Sequence, residues 1–187
     1  MNRPHLMRMM MVNSGKKALI DLDFTESLHL HGRNNAGKTT FVNALQFCFT
    51  DRYSSMVWDD HSTDETRRHY FPESSYICFT VWTEFGLQNL LLVGYGAARG
   101  FRFQRWVFPG DLDEKLLYSD QDGNITPRST IDVERDLHLI SGSRKLTETE
   151  MKGWIDGSGD SPFALVPLKR SGKFSDFRKL FNECIVC

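Results

Sequence analysis

The chain lacks a charge excess of either sign: 23 Lys and Arg stand against 24 Asp and Glu, a formal net charge of −1 over 187 residues. The molecule as a whole therefore has no electrostatic reason to collect on nucleic acid or acidic lipid, and any such contact must come from a local patch. Long apolar runs are missing too. Residues 1–12 are rich in Met but are broken by Arg3, Pro4, His5 and Arg8, which leaves neither a signal peptide nor a membrane span. The expectation is a cytoplasmic protein with no membrane partner. Cysteine is scarce, and Cys48 and Cys78 fall inside apolar helix and strand patterns, where a reduced thiol behaves as a small hydrophobe. Cys184-Ile-Val-Cys187 is a lone C-x-x-C without the other two ligands a zinc site needs, so it reads as a silent pair.

What remains is ordinary soluble composition, 40% hydrophobic and 25% charged, enough for a real core in one domain over residues 1–187. One motif stands out from it. Gly32-Arg33-Asn34-Asn35-Ala36-Gly37-Lys38-Thr39 reads G-x-x-x-x-G-K-T, the phosphate-binding loop. Glycines let the backbone wrap a phosphate with its N–H groups, the lysine meets the β- and γ-phosphates, and the Thr hydroxyl binds Mg²⁺. A nucleoside triphosphate is the ligand this spacing predicts. The context agrees: Leu28 and Leu30 alternate with polar residues as a half-buried strand would. After the loop, Phe41, Leu45 and Cys48, with Val42 and Phe49 beside them, recur at helical spacing, which predicts a helix whose N-terminus faces the phosphates.

Elsewhere the pattern is mostly β. Residues 7–24 predict a strand pair with its turn at Asn13-Ser14-Gly15-Lys16, and residues 76–85, 89–95 and 101–108 predict an antiparallel meander closed by Pro109-Gly110. Residues 51–74 hold neither period and predict a long surface excursion. Ser129-x-x-Asp132 and Thr147-x-x-Glu150 are helix starts, the second opening a helix that buries Met151, Trp154 and Ile155. Ser175 caps a last apolar stripe of Phe177, Leu180, Phe181, Cys184 and Ile185, which meets no stop signal and predicts a helix that continues as the root of a coiled coil over residues 175–187.

A second acidic element, four apolar residues ending in Asp, is needed to hold Mg²⁺ and position water, and none occurs in a suitable place. Ala18-Leu19-Ile20-Asp21 precedes the loop and fits a strand. Asp120-Gln121-Asp122-Gly123 resembles a GTPase switch but is explained by turn chemistry, and Leu139-Ile140-Ser141-Gly142-Ser143 reads as a loop.

A phosphate loop without its acidic strand, followed by a meander and an unfinished helix, is the pattern of a split head. Residues 19–45, centred on H-G-R-N-N-A-G-K-T-T, resemble the N-terminal head lobe of SMC-like, ABC-type ATPases, whose motif runs G-x-N-G-x-G-K-[ST]. The runs Y-F-P-E-S-S-Y-I at 70–77 and L-L-L-V-G-Y-G-A at 90–97 are similar to the bacterial condensin-like branch, the MukB and MksB type and JetC of Wadjet systems. The resemblance implies an α/β P-loop NTPase lobe with an antiparallel meander and peripheral helices, binding ATP and Mg²⁺. By it, Lys38 contacts the β- and γ-phosphates, Thr39 holds Mg²⁺, Thr40 touches the α-phosphate, and Gly32, Arg33, Asn34, Asn35, Ala36 and Gly37 form the cradle. Asn35 departs from the usual glycine, although Asn tolerates positive φ well. Gln104 is the candidate Mg²⁺-sensing glutamine, and Arg52 stands where it could reach a phosphate. The implied partners are a C-terminal head lobe, a second head in a homodimer, DNA and a kleisin-like subunit, at the nucleoid. A self-contained P-loop kinase or GTPase using Asp120, and a non-enzymatic nucleotide-dependent interaction module, are the alternatives.

Overall fold

Turn chemistry at residues 13–16 folds the first apolar run back on itself. In the computed structural model, which describes residues 4–26, 37–58 and 61–157, β1 (His5–Ser14) and β2 (Lys17–Asp23) pair antiparallel as expected. Asn13, Gly15 and Lys16 all take positive φ at that turn. The chain divides into two compact units, Met1–Leu28 with Asp64–Leu146, and His29–Thr63 with Thr147–Cys187.

In the first unit the meander is β3 (Glu73–Thr83), β4 (Gly86–Tyr95) and β5 (Phe103–Pro109), within a few residues of the expected runs. A hairpin of β6 (Tyr118–Gln121) and β7 (Asn124–Pro127) follows. β8 (Arg144–Leu146), which periodicity does not reveal in three residues, completes an antiparallel six-stranded sheet of order β2-β1-β3-β4-β5-β8. Central strands buried on both faces read as unbroken apolar runs, and so they are here: Tyr76, Ile77, Cys78 and Phe79 on β3 and Leu90 to Val93 on β4 are almost wholly buried.

One face of the sheet carries Met10, Val12, Tyr76, Cys78, Leu91, Val93, Trp106 and Phe108 against Leu116, Leu117, Val133 and Leu137. The last two belong to an amphipathic helix, and Ser129 caps it by accepting from the Asp132 N–H at 3.2 Å, as its sequence signature predicts. Cys48 and Cys78 are both buried and neither forms a disulfide, and burial pushes Cys78 up to about 12. Several buried polar groups of the sheet are paired. Thr80 donates to Asn89 at 2.8 Å, Asn89 donates to the Gly110 carbonyl at 2.8 Å, and the Tyr76 hydroxyl donates to the Arg128 carbonyl at 2.6 Å.

Among the described residues the α-helices are α1 (Lys38–Ala44), α2 (Gln46–Phe49), α3 (Thr63–Tyr70), α4 (Thr130–Leu139) and α5 (Glu148–Asp156). The expectation of one continuous helix after the loop needs correction. At Leu45 the N–H is shared between the Phe41 and Val42 carbonyls, at 3.3 and 3.2 Å, and the ladder tightens by a residue. The buried stripe rotates accordingly. Ala44, Phe47 and Cys48 are buried, whereas Phe41, Val42, Leu45 and Phe49 are only half-buried.

The expected surface excursion at residues 51–74 is also corrected. Tyr53, Met56, Trp58, Tyr70 and Phe71 are buried, and α3 lies within the segment. Aromatic packing from irregular backbone carries no period. Phe47, Tyr53 and Trp58 form a cluster with centroids 5.5 to 6.1 Å apart. In the same unit α5 opens with the predicted capping box, the Thr147 N–H donating to Glu150 Oε2 at 2.8 Å, and buries Met151, Trp154 and Ile155.

Candidate functional site

Gly37, Lys38, Thr39 and Thr40 are the part of the phosphate loop within the described residues; the strand at Leu28 and Leu30, and Gly32, Arg33, Asn34, Asn35 and Ala36, lie outside them, as do residues 175–187 with Cys184 and Cys187. Gly37 stands at the N-cap of α1 with φ 91° and ψ 12°, a left-handed conformation that a side chain would strain. Its carbonyl accepts from the Phe41 N–H at 3.3 Å, closing the first helical turn. Lys38, Thr39 and Thr40 follow as that turn, with Thr39 exposed and the other two half-buried. Glycine offers no side chain to cap the helix, and no acidic residue stands in the first turn. The first turn itself thus supplies no anion to the positive end of the helix dipole, which suits a phosphate ligand.

The supports behind the turn were not legible in the spacing. Gln46, fully buried, uses its amide as a two-point clamp: Nε2 donates to the Val57 carbonyl at 2.8 Å and Oε1 accepts from the Val57 N–H at 2.7 Å. The clamp fixes the 50–58 segment to α2, and the Tyr53 hydroxyl adds a bond to the Thr63 carbonyl at 3.1 Å. The available signal was a glutamine flanked by apolar residues inside an apolar helical run. Arg52, which is exposed, has its Nε 3.8 Å from both the Asp51 and Glu148 carboxylates.

Gln104 lies on β5 in the first unit. Its Nε2 donates to the Leu146 and Arg105 carbonyls, both at 3.2 Å, so its amide group ties β5 to β8. Asp120 does what turn chemistry predicts: its carboxylate accepts from the Gly123 N–H at 2.8 Å within the β6–β7 hairpin. Residues 139–143 join α4 to β8, as a loop. Asp21 is interior to β2 and pairs with Arg8.

An ion-pair cluster lies within the first unit. Arg8 bridges Asp21 and Glu114, and the Tyr118 hydroxyl donates to Glu114. The Tyr118 and Arg8 hydrogen bonds hold the Glu114 carboxyl below its usual range, and the same carboxylate pushes Tyr118 up to about 12. These bonds join the sheet to the segment before β6 and are structural. Among the described residues no group of three or more His, Cys, Asp or Glu is placed to hold a metal ion, and no helix is long and apolar enough to cross a membrane.

No curated protein matches the sequence. A family model does, over residues 1–181, nearly the whole chain, and its description is that of an Mks condensin complex protein, MksF. The chain belongs to the MksF family of Mks condensin complex proteins.

Proposed function

We propose that this chain is the ATP-binding N-terminal head lobe of an SMC-like motor that acts on DNA, with a P-loop NTPase fold completed by a C-terminal lobe and by a second head. The observation that carries the reading is G-x-x-x-x-G-K-T running into α1, with Gly37 left-handed at the helix start. Membership of a condensin-complex family supports a protein assembly around it. In this reading the backbone of residues 32–37 and the first turn of α1 cradle the phosphates, Lys38 supplies the positive charge facing them, and the Thr39 hydroxyl offers the protein's oxygen to Mg²⁺. The nucleotide contributes the transferable phosphoryl group. Gln104 remains a candidate Mg²⁺-sensing group only if its amide exchanges its bonds to Leu146 and Arg105 for the ion. A kleisin-like subunit, the cytoplasm and the nucleoid complete the proposed setting.

The division of labour follows from what the chain holds. The sequence carries no run of four apolar residues ending in Asp in a suitable place to position water, and Asp120, the residue a self-contained kinase or GTPase would use, spends its carboxylate on its own hairpin turn. Steady-state phosphate release tests this. The chain alone should release none above background while binding Mg·ATP; sustained release abolished by Asp120→Asn would establish the self-contained enzyme instead.

A further inference from the structure

Among the described residues of the first unit, Trp82, Phe85, Ile131 and Leu139 are large apolar side chains that stay exposed, and all but Ile131 come to the β3–β4 end of the six-stranded sheet. Trp82 lies near the end of β3 and Phe85 in the turn to β4, 37% and 61% exposed. Gln88 pairs with Pro109, the last residue of β5, and the Gly110 N–H donates to the Leu87 carbonyl at 3.0 Å, so Leu87 and Pro109 stand beside them. Leu139, 80% exposed, arrives on α4. That helix starts at the other end of β4, where the Thr130 hydroxyl donates to the Gly94 carbonyl at 3.1 Å, and the loop after it packs on the end of β5, where a Cβ on Gly142 would lie 3.4 Å from the Pro109 ring. The β3–β4 turn does not need the Phe85 side chain. It is closed by Thr83, whose hydroxyl donates to the Gly86 carbonyl at 2.8 Å and accepts from the Phe85 N–H at 3.2 Å. Exposed apolar groups gathered in one place mark an interaction surface.

The rim of this apolar end is acidic. Glu84 shares the turn with Phe85, and Asp111 and Asp113 follow β5; all three are exposed, and among the described residues none has a cation at ion-pair distance. Asp23 ends β2 and Glu26 follows it on the same side, where the Phe24 N–H donates to the Met7 carbonyl at 2.8 Å. Arg8 on β1 is engaged with Asp21 and Glu114, which leaves His5, Lys115 and Arg144 as the other basic side chains of this end and gives it an acidic excess.

We propose that this end of the sheet docks a basic amphipathic helix of a protein partner. The aromatic and aliphatic groups take the apolar stripe of that helix, and Glu84, Asp111 and Asp113 face its lysines and arginines. β3, β4 and β5 are interior strands, so no open edge lies here for an added strand. From β3 to β5 is two strand spacings, about 10 Å, which is the axial distance from residue i to residue i+7 of a helix; one apolar stripe therefore reaches from Phe85 to Pro109. The acidic rim repels anionic lipid, and in a two-fold contact between copies of this chain it would meet itself. Membership of a condensin-complex family supplies protein partners for the surface.

Fluorescence anisotropy of a labelled amphipathic Leu/Lys helix of about five turns, added to the full chain with no nucleotide present, tests the surface independently of the phosphate loop. The peptide should bind, while a Ser/Lys peptide of the same charge and a Leu/Glu peptide of the same apolar stripe should not. Phe85→Ser with Leu139→Ser should weaken binding at least about tenfold. Ile131→Ser, 79% exposed in the first turn of α4, is the apolar control and should leave it unchanged. Glu84→Gln with Asp111→Asn and Asp113→Asn should weaken binding about tenfold at low salt and little at about 1 M, where charge is screened. Asn at 113 keeps the oxygen that accepts from the Lys115 N–H at 3.0 Å, so the local turn survives. The proposal fails if the Leu/Lys peptide does not bind, if the Ser/Lys or Leu/Glu peptide binds as well, or if Ile131→Ser matches the Phe85 and Leu139 variant. It also fails if sedimentation shows self-association that Phe85→Ser abolishes, which would assign the surface to a second copy, or if phosphatidylglycerol vesicles compete for it.

Discussion

Replacing Gln46 by Leu removes the clamp behind the phosphate-loop helix while keeping a side chain of broadly similar bulk, and its cost can be worked from two bonds. Both partners are main-chain atoms of Val57, at 2.7 and 2.8 Å, and the glutamine itself is fully buried. Each bond contributes about 1 kcal/mol net, and each orphaned backbone group adds desolvation of about 1–3 kcal/mol where water cannot reach it. Val57 is 36% exposed, so water relieves part of that second cost. Leucine returns about 1–2 kcal/mol of apolar burial. The balance is a destabilisation of about 2 kcal/mol. Urea unfolding followed by tryptophan fluorescence reads it, because Trp58 packs 5.6 Å from Phe47, one residue after Gln46. The midpoint should fall with an unchanged m-value. A Gln46→Leu variant within about 0.5 kcal/mol of wild type would refute the clamp, and Gln46→Glu should be worse than Leu because it buries a charge and loses the donor.

Gly96→Ala should be more disruptive than its size suggests. The new methyl would lie 2.8 Å from the Glu73 backbone nitrogen at φ 63°, so strain and overlap together cost about 2–5 kcal/mol, read as a lowered thermal midpoint. Glu114 gives a pH test: its folded pKa is depressed by the Tyr118 and Arg8 bonds, so its stabilisation is fully present above the unfolded value of about 4.3 and is lost as pH falls through the lower folded value. Glu114→Gln should therefore flatten the acid limb of the stability–pH curve below about pH 5 and leave the shape near neutrality unchanged; an unaltered acid limb would show that the carboxylate contributes nothing.

Much of the first unit, and α5 of the second, was legible because the physics is periodic or local. Alternation and turn residues placed β1 to β5, and Ser129 and Thr147 announced α4 and α5 through side chains that bond within three residues. The 50–58 segment was not legible. Tyr53 and Trp58 are buried by packing on Phe47 and by the Gln46 clamp, contacts between irregular backbone and a helix that no spacing encodes. The short helix break at Leu45 was hidden for a different reason, since a shared N–H shifts the buried stripe without changing residue type.

Lys38 and its loop are proposed to bind a nucleoside triphosphate. Calorimetric titration of Mg·ATP into the wild-type chain and into Lys38→Ala tests it most directly. A charge-assisted phosphate contact contributes about 1.5–3 kcal/mol, so the variant should bind about 10- to 150-fold more weakly with its fold intact by circular dichroism. Equal affinity in the two proteins, or no binding by the wild type, would contradict the account.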